Sequence, residues 1–103
     1  MAASRQRKPS APVVVITGAS QGIGAAIASA FAANARGARI ALLARNEKKL
    51  KQVARAIERR GAKALVVVCD ATDEASVASA ARTVAAAFGV ADVLVNNAGR
   101  FAG

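Results

Sequence analysis

Residues 13–24 read VVVITGASQGIG, an apolar run followed by a glycine-rich turn. A run of β-branched residues without alternation is typical of a strand buried on both faces of a parallel sheet. The glycines allow a sharp turn and leave no side chain between the backbone and a ligand. Beyond the turn, apolar residues recur at helical spacing at Ile23, Ala26, Ile27, Ala30 and Phe31. The stretch predicts a strand, a tight turn and a helix whose positive N-terminal end suits a phosphate group.

Short apolar runs alternate with amphipathic segments along the rest of the chain. Strands are predicted over Val13 to Thr17, Arg39 to Ala44, Ala64 to Cys69 and Val93 to Val95. Helices are predicted from Gly22 to about Ala35, from Glu47 to Arg60 and from Glu74 to Phe88. Regular strand–helix–strand units indicate right-handed crossovers. The sequence therefore predicts an α/β fold, a doubly wound parallel sheet with helices on both faces.

Capping residues and inward-facing stripes refine the helix predictions. Asn46 and Asp73 are the predicted N-caps of the second and third helices. Glycines that end the three helices are expected at Gly37, Gly61 and Gly89. The second helix is predicted to bury Leu50, Val53, Ala54 and Ile57. The third helix is predicted to bury Val77, Ala81, Val84 and Phe88.

The length of 103 residues suits one small domain or part of one. Hydrophobic residues make up 54% and charged residues 20%, which favours a packed core over disorder, and no apolar run is long enough to cross a bilayer.

Residues 1–12 carry basic but no acidic side chains, and they predict a flexible tail ahead of a domain over residues 13–103. A transit peptide is the alternative. Cys69 has no partner for an internal disulfide, so a cytoplasmic location is expected.

The formal net charge of +9 raises the question of a nucleic-acid partner. Seven of the basic residues crowd one short region: Lys48, Lys49, Lys51, Arg55, Arg59, Arg60 and Lys63. Most of them fall on the outer face of the second predicted helix. The chain has no Tyr or Trp and three Phe, so aromatic platforms for base stacking are scarce. A solvated helix face is the favoured interpretation, and no nucleic-acid partner is expected.

Two features of the chain point to a dinucleotide. Gly18, Gly22 and Gly24 have the spacing Gly-x-x-x-Gly-x-Gly, which brings backbone close to a pyrophosphate, although an ordinary strand–helix turn is an alternative. Arg45 follows the second strand, where NAD-binding proteins usually carry an acid. A guanidinium can hold a 2′-phosphate with two parallel hydrogen bonds, so NADP(H) is expected in preference to NAD(H). The alternative is that Arg45 is a surface residue without a ligand.

Polar residues also follow the third and fourth strands. The Asp70 carboxylate can accept from an adenine amino group, or it can serve the N-terminus of the next helix. Residues 96–99 read NNAG, which offers amides to backbone and ribose and a low surface for a flat ligand. Ligands of parallel sheets lie at the carboxyl ends of the strands. These groups are therefore expected to surround one cofactor.

Residues 17–24 (TGASQGIG), Cys69-Asp70 and residues 96–99 together resemble the short-chain dehydrogenase/reductase family, over about residues 12–103. The resemblance implies a Rossmann-type sheet of which this chain supplies the first four strands and three helices, a partial domain. The cofactor-binding residues that it implies are Gly18, Ser20, Gln21, Gly22, Ile23, Gly24, Arg45, Asn46, Asp70, Ala71, Asn97, Ala98 and Gly99. Gln21 departs from the pattern, because many NADP-preferring relatives carry a second basic residue there.

Within that set, the resemblance implies different parts of the cofactor for different groups. The glycine turn would meet the adenosine ribose and the phosphates. Arg45, with Asn46 beside it, would determine the preference for NADP(H). Asp70 and Ala71 would contact the adenine, and Asn97, Ala98 and Gly99 would form the wall beside the ribose.

The family performs catalysis with a Tyr-x-x-x-Lys pair, an upstream Ser and an Asn on the helix after the fourth strand. In that arrangement the Tyr is the general acid or base, and the Lys lowers its pKa. This sequence has no Tyr, and no Lys follows Lys63. No residue is therefore assigned a catalytic role, and no metal site is expected.

The implied function is the NADP(H)-binding portion of an oxidoreductase that transfers hydride between NADP(H) and a carbonyl or alcohol. A 3-oxoacyl compound or another ketone is the expected substrate type, and the intact protein is expected to be a homo-oligomer. The alternative is a truncated, non-catalytic protein that binds a dinucleotide or pairs with another chain. Because Val93 to Val95 would form an open sheet edge, we expect the 103-residue chain to be aggregated or molten when expressed alone.

Overall fold

Four parallel strands form the centre of the fold. The computed structural model describes residues 11–97. The strands are β1 (Val13–Thr17), β2 (Arg39–Ala44), β3 (Lys63–Val68) and β4 (Val93–Asn96). They lie in the order β3-β2-β1-β4, and every neighbouring pair is parallel. The chain moves outward from β1 to β3 and then returns to the other side of β1, so the strand order reverses between β1 and β4.

Three helices connect the strands, α1 (Gly22–Asn34), α2 (Glu47–Glu58) and α3 (Glu74–Phe88). α1 and α2 pack on one face of the sheet, and α3 packs on the other. Both predicted N-caps are confirmed. The Asn46 side chain accepts from the Lys49 N–H at 3.0 Å, and Asp73 accepts from the Ala75 N–H at 3.0 Å. The predicted doubly wound parallel sheet is therefore confirmed.

The strand residues alternate between two cores because successive side chains point to opposite faces of the sheet. Val14 and Ile16 are fully buried in the core beneath α1 and α2. Val15 points the other way and packs in the core beneath α3. Burial of β1 on both faces explains why its sequence is continuously apolar.

Several element boundaries differ from the prediction by one or two residues, among them those of β3 and α2. β3 begins at Lys63 and ends at Val68, one residue earlier than predicted, because Lys63 is paired with Arg39 of β2. α2 ends at Glu58 instead of Arg60. Gly61 adopts a φ of 97°, and its N–H donates to the Glu58 carbonyl at 3.0 Å. This left-handed residue reverses the chain and stops the helix where glycine was predicted to do so.

The inward face of α3 was predicted wrongly in part. Val84 is buried, but Val77 is 44% exposed and Ala81 is exposed, while Ala80 is buried in their place. Val77 and Ala81 line an open apolar cleft between α3 and β4. α3 is rich in alanine on every side, so its sequence has no sharp apolar stripe to fix the face.

The buried face of α1 also consists of small residues. Gly24, Ala28 and Ala32 are its buried residues, whereas Ile23 is 70% exposed. Small residues at this spacing allow the helix to lie close to the sheet. The predicted stripe of α2 is confirmed, since Leu50, Ala54 and Ile57 are buried and Val53 packs against them.

Some predictions concern parts of the chain that lie outside the described residues. Most of the predicted basic tail, residues 1–10, lies there, and so do Ala98 and Gly99. Among residues 11–97, no helix combines the length and the apolar character needed to span a membrane. The same residues contain no cluster of three or more His, Cys, Asp or Glu side chains that could hold a metal ion.

Candidate cofactor-binding site

A cleft of about 630 Å³ opens at the carboxyl ends of β1, β2 and β3. Its volume lies within the range that small-molecule sites commonly have. The residues that line it are Thr17, Gly18, Ser20, Gln21, Leu43, Ala44, Arg45, Asn46, Lys49, Cys69, Asp70, Ala71, Thr72 and Val77. The structure thus brings together the residues that the sequence placed at the ends of three different strands.

The glycine turn forms one wall of the cleft. Gly18 and Gly22 have φ values of 65° and 62°, in the left-handed region that glycine adopts without strain. A Cβ atom built on Gly24 would overlap the Gly18 carbonyl oxygen and would lie 2.9 Å from the Asn97 side-chain nitrogen. α1 can therefore approach the turn this closely only because residue 24 has no side chain.

The turn is held by its neighbours in the sheet. The Ala19 N–H donates to the Leu43 carbonyl at 3.2 Å, which ties the turn to β2. The N-cap of α1 is Gln21, whose side chain makes no capping hydrogen bond. The first N–H groups of a helix have no partner within the helix, and that end of the helix dipole is positive. This combination favours an anionic group beside the turn.

Asn97 connects the end of β4 to the same turn. Its side-chain amide donates to the Gly18 carbonyl at 3.3 Å, and its backbone N–H donates to the Thr17 hydroxyl at 2.9 Å. The Thr17 hydroxyl lies 3.0 Å from Asn96 Oδ1, to which it can donate. Sequence analysis assigned Asn97 to the ribose side of the cofactor, and the structure gives its amide nitrogen a partner in the protein. Thr17, which anchors this connection, was not predicted as a site residue.

Two cationic side chains stand at the corner between β2 and α2. Arg45 is exposed and lines the cleft directly after β2. Lys49 lies in the first turn of α2, and its ammonium donates to Gln21 Oε1 at 2.7 Å across the mouth of the cleft. Asn46, between them, uses its side-chain oxygen to cap α2. Sequence analysis placed Lys49 on a solvated helix face and missed its position at the site.

Asp70 is the acidic group of the cleft. Its Oδ1 accepts from the Thr72 hydroxyl at 2.7 Å and from the Thr72 N–H at 2.9 Å. These hydrogen bonds from Thr72 hold the pKa of Asp70 below its ordinary value of 3.8, and the charge of Arg45 acts in the same direction. The carboxylate is therefore ionised at neutral pH. Of the two roles considered from the sequence, capping of α3 belongs to Asp73.

The predicted site residues fall into three groups. Those that line the cleft are Gly18, Ser20, Gln21, Arg45, Asn46, Asp70 and Ala71. Those that belong to the turn, the start of α1 or the end of β4 without lining the cleft are Gly22, Ile23, Gly24 and Asn97. Ala98 and Gly99 cannot be placed, because they lie outside the described residues.

Comparison with known proteins supplies an independent assignment. Residues 12–103 match the family profile described as short chain dehydrogenase. The fatty acyl-CoA reductase of Acinetobacter baylyi is 42% identical over 88 residues, which are 85% of this chain and 29% of the relative. The structure of L-sorbose reductase from Gluconobacter frateurii, solved in complex with NADPH and L-sorbose, superimposes with a TM-score of 0.81 at 44% sequence identity. The matched region is 88% of this chain and 34% of the reductase chain.

A metagenomic short-chain oxidoreductase solved in complex with NADP is also similar. It superimposes with a TM-score of 0.79 at 47% sequence identity, and the matched region is 86% of this chain and 39% of the oxidoreductase chain. The chain thus spans between a quarter and two fifths of the length of these relatives.

Proposed function

Because this chain belongs to the short-chain dehydrogenase family, we propose that it is the NADP(H)-binding part of an oxidoreductase. The observation that carries the proposal is the cleft at the ends of β1 and β2, which is lined by residues of the glycine turn and by an exposed arginine. Two similar structures contain NADPH or NADP, which supports the same cofactor.

The residues present fit such a cofactor. Gly24 approaches the Gly18 carbonyl closely because it has no Cβ, and the glycines of the turn leave backbone accessible for contact with a pyrophosphate. We assign the phosphates to this turn, with Ser20, Gln21, Gly22 and Ile23 around the start of α1. The uncapped positive end of α1 compensates the phosphate charge.

The other end of the cleft suits the adenosine. Asp70 and Ala71 line it at the end of β3, and we assign them to the adenine. The Asp70 carboxylate uses one oxygen for Thr72, and an ionised carboxylate has further acceptor sites for an amino group. We assign the ribose side to Asn97, with Ala98 and Gly99 following it in sequence.

We assign the preference for NADP(H) over NAD(H) to Arg45, with Asn46 beside it. The guanidinium is exposed at the point where β2 ends, and it can form paired hydrogen bonds with a 2′-phosphate. The hydrogen bonds from Thr72 and, to a smaller extent, the charge of Arg45 lower the pKa of Asp70, so the cleft holds an ionised carboxylate as well as the guanidinium.

When bound, the nicotinamide supplies or accepts the hydride, and the partner atom is the carbon of a carbonyl or alcohol group. We propose that this substrate is a small-molecule ketone, of 3-oxoacyl or another type. Because the chain spans about a third of its relatives, we assign the proton-transfer groups to the remaining part of the whole protein, which we propose to be a cytoplasmic homo-oligomer.

The test is to measure the affinities of NADPH and NADH for the full-length protein by titration calorimetry. We expect NADPH to bind at least tenfold more tightly than NADH. In Arg45→Asp, loss of a charge-assisted hydrogen bond and the added repulsion should weaken NADPH binding by about 10- to 100-fold, equivalent to about 1.4–2.7 kcal/mol. NADH affinity should stay within about threefold, since NADH has no 2′-phosphate.

Arg82→Asp is the matched control, because Arg82 is exposed on α3 outside the cleft and the charge change is the same. Equal affinities for NADPH and NADH in the wild-type protein would remove the proposed preference. Absence of binding of either cofactor would remove the proposed function itself.

A further inference from the structure

Gln21 and Lys49 form a contact that the cofactor assignment leaves unexplained. Gln21 belongs to the turn after β1, and Lys49 belongs to the helix after β2, yet their side chains are joined by a 2.7 Å hydrogen bond. Both residues are exposed, and both line the cleft. The bond therefore holds an ammonium group at the rim between the glycine turn and Arg45.

The hydrogen-bond partner of Lys49 carries no charge. Gln21 Oε1 is a neutral amide oxygen, so the hydrogen bond positions the ammonium without neutralising it. The neighbouring acid, Glu47, lies 3.7 Å from the Lys51 ammonium instead. An ammonium has three donors, and the contact with Gln21 uses one of them. The group can therefore still donate to an anion.

The position of Lys49 follows from how α2 begins. Asn46 caps the helix directly after Arg45, so the first turn of α2 stays at the carboxyl edge of the sheet. The side chain of Lys49 crosses from there to the glycine turn. A dinucleotide bound with its adenine at Asp70 and its pyrophosphate at the turn would have its adenosine ribose between those two points. Arg45 and Lys49, which line the same cleft, would then be the cationic groups available to a 2′-phosphate.

We propose that Lys49 is a second specificity-determining residue for NADP(H), held in place by Gln21 and acting with Arg45 on the 2′-phosphate. This inference rests on the proposed function, and it adds a residue that the glycine turn and the β2 terminus do not contain. The ligand chemistry it selects is a phosphomonoester on the adenosine ribose. Lys49 acts as a point charge, whereas Arg45 offers the planar, paired donors.

The experiment compares NADPH and NADH binding to the full-length wild-type protein and to Lys49→Gln at low ionic strength. We expect Lys49→Gln to weaken NADPH binding by about fivefold, the effect of one partly exposed charge-assisted contact. NADH binding should change by less than about twofold. Lys48→Gln is the matched control, because Lys48 is an exposed neighbour on α2 that lies outside the cleft lining.

Two more variants separate charge from structure. Lys49→Arg keeps the positive charge, and we expect it to retain NADPH affinity within about twofold of wild type. Gln21→Ala removes the side-chain amide whose oxygen holds the Lys49 ammonium, and its effect on the NADPH/NADH ratio should be smaller than that of Lys49→Gln.

Three results would overturn the inference. Equal weakening of NADPH and NADH in Lys49→Gln would mean that Lys49 only shapes the cleft. If Lys49→Gln kept the wild-type ratio of NADPH to NADH affinity, the preference for NADPH would belong to Arg45 alone. The proposed function would not be affected by that result. A wild-type protein that binds neither dinucleotide would overturn both.

Discussion

Replacing Gly24 with alanine tests whether the close packing of the glycine turn determines both stability and cofactor binding. The added Cβ would overlap the Gly18 carbonyl oxygen and approach the Asn97 amide nitrogen to 2.9 Å. Forcing an extra carbon into a closed site costs about 1–3 kcal/mol. The obstacle here is backbone, which cannot rotate away as a flexible side chain can. The upper part of that range therefore applies.

Helix propensity offsets part of the cost. Alanine is favoured over glycine in a helix by at most about 1 kcal/mol. The expected net loss in the free energy of unfolding is therefore about 1–2 kcal/mol. Because the Gly18 carbonyl fills the space of the added methyl group, we expect this carbonyl to move, together with the backbone that we assign to the phosphates. We expect NADPH affinity to fall at least about tenfold, a change of about 1.4 kcal/mol.

The assay is urea denaturation of full-length Gly24→Ala, combined with NADPH titration at a temperature where the variant is folded. Gly61→Ala is the control. Gly61 has a φ of 97° and open space around the position of a Cβ, so alanine there is strained by about 1–3 kcal/mol far from the cleft. The control should lose stability and keep its NADPH affinity. A Gly24→Ala protein with wild-type stability and wild-type NADPH affinity would refute the packing argument.

Two further predictions concern the segment between β3 and α3. Thr72→Val removes the hydroxyl that donates to Asp70, so the pKa of Asp70 should rise toward 3.8, as measured by NMR titration of its carboxyl carbon. Because the folded-state pKa is lowered, the stabilisation from this contact is present above about pH 3.8 and lost as the pH falls through the folded value, so the stability difference from wild type should shrink in acid. An Asp70 pKa unmoved by the substitution would contradict this assignment. Asp73→Ala should lower the free energy of unfolding by about 1 kcal/mol through loss of the α3 cap, whereas Asp73→Asn should lose less; equal losses in urea denaturation would speak against capping.

The sequence was sufficient to predict the sheet and the N-caps of α2 and α3, because both depend on residues that are close together in the chain. β1 is continuously apolar because it is buried on both faces, and that pattern is visible in a single chain. Asn46 and Asp73 cap helices with their own side chains, so their roles follow from position alone. The face of α3 was less predictable, because an alanine-rich helix buries small residues such as Ala80 as readily as its valines.

The candidate site shows the same division between local and distant determinants. Arg45 and Asp70 were predicted because each directly follows a strand, and strand ends converge at one edge of a parallel sheet. Lys49 was missed because its place depends on a side chain reaching from α2 to the turn after β1, a contact between distant parts of the sequence. Thr72 was missed because its two hydrogen bonds to Asp70 depend on the loop conformation.

Gly24 and Asn97, which the sequence offered as separate signals, belong to one packing arrangement. The Gly18 carbonyl accepts from the Asn97 amide, and both atoms occupy the space that a side chain at position 24 would need. The hydrogen bond from Asn97 to the Gly18 carbonyl therefore depends on residue 24 being glycine, because a Cβ there would displace both groups. The end of β4 is in this way fastened to the turn that we assign to the phosphates. A substitution at Asn97 should therefore disturb the turn even if the Asn97 side chain makes no contact with a ribose. We thus expect an Asn97 variant to lose NADPH affinity through the turn, whether or not a direct contact to the cofactor is lost as well.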